Sequence, residues 1–355
     1  MVCCASRGAL HSKKAPRVSS AVRRDAIRHA QVWQASAVAS KDLRAGPTGH
    51  GAFTPGQTVE CRYTKKDMAG NSPKFNCVIP PDDEVKVKFG RENGEVYAEV
   101  AATRLFWALG FPADRMYPVR VQCEGCPPGA FATREEGKSA IVFDPASVER
   151  KFKGRVIETA PDSGWEWPEL DSVDEAAGGA PSAQRDALRL LAVFVQHTDS
   201  KAAQQRLVCE DEADEKAAKG EKDGKEKDGK KKDGKKKDGN DGKGAKAADE
   251  HGGCAHPVMM VNDLGQTFGR SNLFNRNAVG SVNLDQWSKA HIWSDAKHCV
   301  GDLPPSQTGS LHNPPISEAG RKFLSDLLIQ LTDQQLRDLF EVSRFEERAD
   351  RKSVV

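Results

Sequence analysis

The feature that most constrains the fold of this chain is a run of residues, 210–252, that cannot join a hydrophobic core. Residues 221–240 form four consecutive pentads of the type Lys/Glu-Lys-Asp-Gly-Lys/Asn, with glycine at every fifth position and no apolar side chain. Such a segment cannot gain enough from burial to offset the entropy lost on ordering. We therefore expect a long disordered Lys/Asp/Gly insert within the 355-residue chain.

The charge of the protein is concentrated in this insert. Residues 210–250 hold 13 Lys and 14 Asp or Glu, so the remaining sequence has the charged fraction of an ordinary globular protein. The formal net charge is only +2, which gives no electrostatic reason to expect nucleic-acid binding. No run of about 18 apolar residues occurs, and we expect no membrane span.

Two sequence features bear on the cellular compartment of the protein: the first residues of the chain and the cysteines. Residues 1–40 are expected to be a disordered leader without a visible signal peptide, which favours the cytoplasm unless the start codon is misassigned. The nine cysteines include Cys123 and Cys126 in a CxxC motif, while Cys61 and Cys77 flank an expected hairpin. Free thiols are the favoured expectation; disulfides in an exported protein and a structural zinc remain alternatives.

Residues 41–135 are predicted to form a small sheet with one helix. Alternating apolar and polar residues predict strands at 58–63, 74–79 and 84–89, joined by turn residues into an antiparallel meander. A helix is expected over 94–109, where Gly110 stands at the position of a C-terminal cap, and another strand over 116–122.

Residues 136–350 are predicted to be mostly helical. An apolar helix over 182–196 runs into His197, and amphipathic helices are expected over 316–331 and 332–345. Short strands at 206–209 and 257–261 flank the insert and could pair as a hairpin, whose tip tolerates insertions.

The order of chemistry-bearing residues along the chain indicates phosphoryl transfer. This reaction needs a close-approaching glycine turn, a lysine for the phosphates, a carboxylate to hold that lysine, ligands for Mg²⁺ and a carboxylate beside the attacking hydroxyl. The chain offers residues of these types in the order Gly70, Lys86 or Lys88, Glu99, Asp199, Gln204 and Asp263.

Four segments resemble motifs of the atypical kinases, the HipA-type and phosphoinositide-kinase-like group. Residues 69–75 (Ala-Gly-Asn-Ser-Pro-Lys-Phe) are similar to the phosphate loop of HipA-type kinases. The segment between Glu99 and Gly110 is similar to the helix that follows the lysine strand in those kinases. His197-Thr198-Asp199 resembles a kinase catalytic loop, and Asn262-Asp263-Leu264-Gly265 its metal-binding Asp-Phe-Gly. The resemblance implies an α+β, two-lobed protein-kinase-like fold: a small antiparallel-sheet N-lobe and a mostly helical C-lobe.

The same resemblance implies a role for each residue. Lys88 would contact the phosphates of ATP, with Lys86 as the competing choice, and Glu99 would pair with that lysine. Asp199 would be the catalytic carboxylate, and Lys201 a cation near the transferred phosphate. The remaining roles are phosphate covering by Gly70, Asn71, Ser72 and Lys74, and Mg²⁺ binding by Gln204 and Asp263. Gln204 stands where the family has Asn, a departure that could weaken activity.

These observations lead to an ATP- and Mg²⁺-dependent kinase-like phosphotransferase as the expected function. The acceptor stays open among a protein, a lipid and a small molecule. Two alternatives remain: a catalytically inactive kinase-like binding module, and a cysteine-stapled or zinc-containing binding protein. Each motif alone also fits a structural role, since lysines often line an exposed strand face and aspartates often fill turns.

Overall fold

The computed structural model describes residues 17–68, 70–127, 132–134, 140–160, 163–210, 254–269, 282–306 and 309–347. Nearly all of the expected Lys/Asp/Gly insert therefore lies outside the described residues, as does the first part of the expected leader. Within residues 17–40, the structure has a helix, α1 (Ser20–His29), that buries Ala26 and Ile27.

The first half of the chain is a sheet that closes on itself. Its strands are β1 (Thr58–Thr64), β2 (Lys74–Ile79), β3 (Asp83–Phe89), β4 (Arg115–Glu124), β5 (Ala132–Arg134) and β6 (Ala140–Arg150). Strands β1, β2 and β3 form an antiparallel meander, β1 also pairs parallel to β4, and β4 pairs antiparallel to β6. The additional pairing of β3 with β6 completes a closed five-stranded barrel, with β5 attached to β6.

This barrel overturns the predicted fold class. The expected two-lobed, kinase-like architecture, with a small antiparallel-sheet N-lobe and a mostly helical C-lobe, is wrong. The sheet contains a parallel pair and is closed, and strands occur in both halves of the chain. Alternation of side chains predicts that a strand exists, but it does not specify which distant strand pairs with it.

Alternation along the strands separates the barrel interior from the outer surface. In β3, Val85 and Val87 lie in the apolar interior of the barrel. Lys86, which stands between these valines, and Lys88, which follows Val87, therefore point outward. The interior is completed by aromatic and aliphatic side chains from all the barrel strands, among them Phe75, Tyr117 and Phe143. The outer face of β3 is therefore the face on which its lysines can meet other parts of the protein.

Helix α2 (Glu95–Leu109) packs against the outside of the barrel and is buried along nearly its whole circumference. It ends at Gly110, whose φ of 87° is the left-handed conformation expected of a glycine cap. Apolar side chains of α2 join the larger core, which includes α1 and helix α3 (Ser182–Phe194).

The second half contains a three-stranded antiparallel sheet and further helices. Strands β7 (Arg155–Val156), β8 (Gln205–Cys209) and β9 (Pro257–Val261) pair in that order, so the predicted hairpin across the insert is confirmed. The remaining elements are α4 (Leu284–Ser288), β10 (Trp293–Asp295), β11 (Val300–Gly301), α5 (Glu318–Leu328) and α6 (Asp333–Val342). None of the helices in the described ranges has the length and hydropathy needed to cross a bilayer.

Six of the seven cysteines within the described ranges form disulfides. Cys61 is bonded to Cys77 across β1 and β2, Cys123 to Cys126, and Cys209 to Cys254 at the ends of the insert. The favoured expectation of free thiols is therefore wrong at these positions. In this oxidised form the sulfurs of the CxxC motif are not available as zinc ligands.

Candidate functional site

The centre of the candidate site is the fully buried ammonium of Lys88, which three carboxylates surround. Its Nζ lies 2.7 Å from Glu99 Oε2, 2.8 Å from Glu95 Oε2 and 3.5 Å from Asp263 Oδ1. Glu95 and Glu99 are one helical turn apart on α2, so they project from the same face of the helix. Residues separated by 175 positions thus meet at one point on the outer face of β3.

The local fold explains why Asp263 reaches this point. It follows β9, whose last residue, Val261, forms a parallel bridge to Ala113 in the segment after α2. The Asp114 N–H donates to the carbonyl of Val261, at 3.2 Å, which fixes the end of β9 beside the barrel. The Gly265 N–H then donates to Asp263 Oδ1, at 3.0 Å, and holds the carboxylate in the turn that follows.

The charges of this cluster depend strongly on one another. Burial opposes a charge on Lys88, but Asp263, Glu99 and Glu95 outweigh it and hold the Lys88 pKa well above its ordinary value. Burial raises the pKa of Glu99 to about 8, against the opposing effect of Lys88. Burial also opposes a charge on Asp263, but Lys88 and Lys86 keep its pKa well below the usual range.

The segment expected to cover phosphates borders the same cluster. Gly70 has a φ of +83°, and a Cβ there would lie 2.9 Å from the Nζ of Lys74, which donates to Ser72 Oγ at 3.3 Å. In the β2–β3 register Lys74 lies opposite Lys88. Burial lowers the pKa of Lys74, whose ammonium also interacts with Glu95, Lys88 and Asp263. Asn71 is exposed in the same turn.

A second carboxylate, Asp199, is held by two neighbouring side chains. Its Oδ2 accepts hydrogen bonds from Lys201 Nζ, at 2.9 Å, and from Gln204 Nε2, at 2.7 Å. The amide of Gln204, expected to be a Mg²⁺ ligand, is therefore engaged with Asp199. The side chain of Asp199 is only 11% exposed, so its position is well defined by these contacts.

Backbone hydrogen bonds join the loop of Asp199 to the loop of Asp263. The Thr198 N–H donates to Gln266 O at 3.2 Å, and the Asn262 N–H donates to Gln204 O at 2.9 Å. His197 lies between the two loops, fully buried, with its ring against Trp167. Burial lowers the pKa of His197 to about 4, in opposition to the charges of Asp199 and Asp263. The neutral ring is therefore part of the packing beneath the site.

Lys86, the competing candidate for the phosphate lysine, has a different partner. It forms an ion pair with Glu149 of β6, a buried carboxylate that also pairs with Lys151. Lys151 in turn lies 3.0 Å from Asp114 Oδ2. Glu99 pairs with Lys88, so the structure distinguishes the two lysines of β3 by their neighbours.

A cavity of about 610 Å³ opens beside Lys86 on the outside of the barrel. Its wall includes Asp67 and Met68 from the β1–β2 connection, Asn76 of β2, and Glu149. Six lysine or arginine side chains and four carboxylates line it, so its surface has an excess of positive charge. Asn76 lies opposite Lys86 in the β2–β3 register, two residues from Lys74, which places the cavity next to the Lys88 cluster.

Sequence reasoning missed three charged residues that shape this region. Glu95 precedes Glu99 by four residues, and that spacing could have identified it as a second carboxylate on the same helix face. Glu149 and Lys151 had no comparable signal, because the sequence predicts no strand through these positions. The proline at position 145 interrupts the pattern of a regular strand.

Comparison with known proteins identifies no relative of this chain. No family model, no curated protein and no solved structure matches the chain. The resemblance to HipA-type and phosphoinositide-type kinases therefore stays a prediction from four short motifs.

Proposed function

We propose that this protein is an ATP- and Mg²⁺-dependent phosphotransferase. The observation that carries the proposal is the meeting of Lys88, Glu99 and Asp263 around one buried ammonium, beside the loop that holds Asp199. Structural ion pairs are common, but a lysine shared among three carboxylates at a partly open surface is typical of sites that bind charged ligands. The cavity beside Lys86 has a positive lining suited to an anion, but Lys88, Asp199 and Asp263 do not line it.

Each side chain has a definite part in this proposal. Lys88 would bind phosphate oxygens, and Glu99 would keep its ammonium in place. Gly70, Ser72 and Lys74 would border the phosphates, because the turn at Gly70 lets the backbone come close. Asp263, whose carboxylate is 24% exposed, would hold Mg²⁺, which neutralises charge on the phosphates when bound.

Asp199 would orient the attacking hydroxyl of the acceptor and receive its proton. The hydroxyl oxygen would form a bond to the γ-phosphorus while the bond from that phosphorus to the bridging oxygen of ADP breaks. Lys201, 2.9 Å from Asp199, would offset negative charge on the transferred group. The acceptor can be a protein, a lipid or a small molecule, since the site residues identify only its hydroxyl.

The proposal is tested by ATP turnover, which needs no known acceptor because water or the protein itself can accept the phosphoryl group. We expect Mg²⁺-dependent release of phosphate or autophosphorylation from γ-labelled ATP. Asp199→Asn should lower the rate at least 100-fold with ATP binding retained, while Lys88→Met should lose ATP binding. Asp326→Asn, an exposed aspartate of α5, is the matched control and should behave as wild type.

One observation favours a second candidate, a protein that binds ATP without turnover. Both Lys201 and Gln204 donate to the same oxygen of Asp199, so that oxygen is already engaged by neighbouring side chains. Saturable Mg²⁺-ATP binding in calorimetry, together with no turnover above that of Asp199→Asn, would select this candidate. Absence of any ATP binding by the wild-type protein would exclude both.

A further inference from the structure

The carboxylates around Lys88 differ in how far they are exposed. The side chain of Glu99 is completely buried, whereas those of Glu95 and Asp263 are 12% and 24% exposed. Glu99 is therefore the inner anchor of Lys88. Glu95 and Asp263 lie at the outer side of the cluster, where a ligand from solvent can reach them.

Gly265 allows these two outer carboxylates to lie close together. A Cβ on Gly265 would lie 2.9 Å from Glu95 Cγ, 3.0 Å from Glu95 Cδ and 3.1 Å from Asp263 Oδ1. Glu95 and Asp263 are thus neighbours, and any side chain at position 265 would clash with Glu95. Glycine is required here because it lets the backbone after Asp263 come close to Glu95.

A second observation points to a missing cationic partner. Among the described residues, Glu99 Oε1 is fully buried and has no hydrogen-bond partner, although its carboxylate faces Lys88 through Oε2. Carboxylates outnumber ammonium groups at this point even when Lys74 is included with Lys88. A buried carboxylate oxygen without a partner is costly, and a cation bound nearby would reduce that cost.

The N-terminus of α2 holds Glu95 in place. The Glu95 N–H donates to Asn93 Oδ1 at 3.2 Å, and the amide of Asn93 donates to the carbonyls of Pro73 and Phe89, at 3.2 and 3.1 Å. The first turn of α2 is thereby tied to the ends of β2 and β3. The backbone of Glu95 is therefore fixed beside Lys88, and its carboxylate is held by the ion pair with Lys88.

We infer that Glu95 and Asp263 together hold the divalent cation, and that Glu95 takes the place expected for Gln204. The inference rests on the proposed function for the identity of the cation as the Mg²⁺ that accompanies ATP. Two carboxylates suit Mg²⁺, which keeps several waters and takes further ligands from phosphate oxygens. In the described ranges no group of three or more His, Cys, Asp or Glu side chains is arranged to hold a metal ion, so the two carboxylates would be the protein's share of the ligands.

The test measures metal binding directly, with Mn²⁺ as a paramagnetic probe and the full-length protein. Free Mn²⁺ is quantified by electron paramagnetic resonance during titration, first without nucleotide and then with a non-hydrolysable ATP analogue. We expect Glu95→Gln to raise the Mn²⁺ dissociation constant at least 10-fold and Gln204→Ala to change it less than 2-fold. Asp326→Asn is the surface control, and the near-UV circular dichroism of each variant reports its folding.

The inference is overturned if Glu95→Gln binds Mn²⁺ within 2-fold of wild type, or if wild type binds no Mn²⁺ at millimolar concentration. It is also overturned if Gln204→Ala loses more affinity than Glu95→Gln. Should Glu95→Gln fail to fold, Gly265→Ala provides the second test, because its methyl group would clash with Glu95, displace it and weaken Mn²⁺ binding at least 10-fold. ATP turnover without a Glu95 effect would leave the phosphotransferase proposal standing and reject this one.

Discussion

At the scale of single residues, the same strand carries two outward lysines whose surroundings differ. Lys88 is enclosed by Glu95, Glu99 and Asp263 and has no exposed surface, while Lys86 pairs with Glu149 and is 24% exposed. Neither the spacing of the lysines nor their flanking valines distinguishes them in the sequence. The two lysines differ because α2 supplies Glu95 and Glu99, and the turn after β9 supplies Asp263, to Lys88 and not to Lys86.

This difference predicts unequal costs for removing the two charges. In EDTA, Lys88→Met leaves three carboxylates without their shared ammonium and should lower the free energy of unfolding by about 3–5 kcal/mol. Lys86→Met should cost less, because Glu149 keeps Lys151 as a partner. Urea unfolding followed by tryptophan fluorescence measures both. Equal losses in the two variants would contradict the described contacts.

His197 predicts a pH dependence of stability. Its pKa is lowered to about 4 by burial, so the folded protein keeps the ring neutral while the unfolded chain takes up a proton below about pH 6.5. The stabilisation is complete above pH 6.5 and is lost as the pH falls towards 4, by roughly 3 kcal/mol from this group.

The measurement compares urea midpoints at pH 7.0, 5.5 and 4.5 for wild type and His197→Gln. The variant should be less stable at pH 7.0 but should lose less stability on acidification. His312→Gln, at an exposed position, is the control and should keep the wild-type slope. A His197→Gln profile parallel to that of wild type would show that this ring does not titrate as described.

At the scale of elements, the β8–β9 hairpin connects the two candidate loops. Gln204 precedes β8 and Asp263 follows β9, and the Gln205–Val261 pair closes the hairpin at this end. At the other end, the Cys209–Cys254 disulfide joins the strands where the insert begins and finishes. The hairpin thus holds the spacing between the two loops, and the disulfide supports it.

Replacing both Cys209 and Cys254 by serine should lower the free energy of unfolding by up to about 4 kcal/mol, from the entropy of a closed loop of this length. Calorimetry of wild type and the double variant measures this loss. The matched control is Cys123→Ser/Cys126→Ser, whose disulfide spans a sequence separation of only 3 and should contribute less. A greater loss in the control would reject the loop-entropy explanation.

At the scale of the whole molecule, the sequence predicted most individual elements but not how they combine. The bounds of β2 and β9 agree with the expected strands because their apolar alternation or apolar run is local. Closure of the barrel depends on β1 pairing with β4 and β3 with β6, and such pairings have no local signature. Lys88, Glu99 and Asp263 could be identified as candidates from their order, whereas Glu95 resembles any acidic residue in a first helical turn.

The insert provides a prediction at this scale. Because the disulfide and the strand ladder close the hairpin without it, replacing residues 213–250 with eight Gly and Ser residues should change the free energy of unfolding by about 1 kcal/mol or less. ATP turnover should be unchanged. Thermal melting and the turnover assay on the shortened protein test this, and a loss of several kcal/mol would mean that the insert contributes to the folded body.

The placement of the Cys209–Cys254 bond has a mechanical consequence. A force that pulls on the 43 residues between Glu210 and Cys254 acts first on the disulfide. The covalent bond between the two sulfur atoms resists this force before the hydrogen bonds of the hairpin do. The ladder of five residue pairs behind the bond spans about 13 Å before it reaches Gln205 and Val261. The loops of Asp199 and Asp263 are therefore shielded from a force applied to the insert, and reduction of the disulfide would remove this protection.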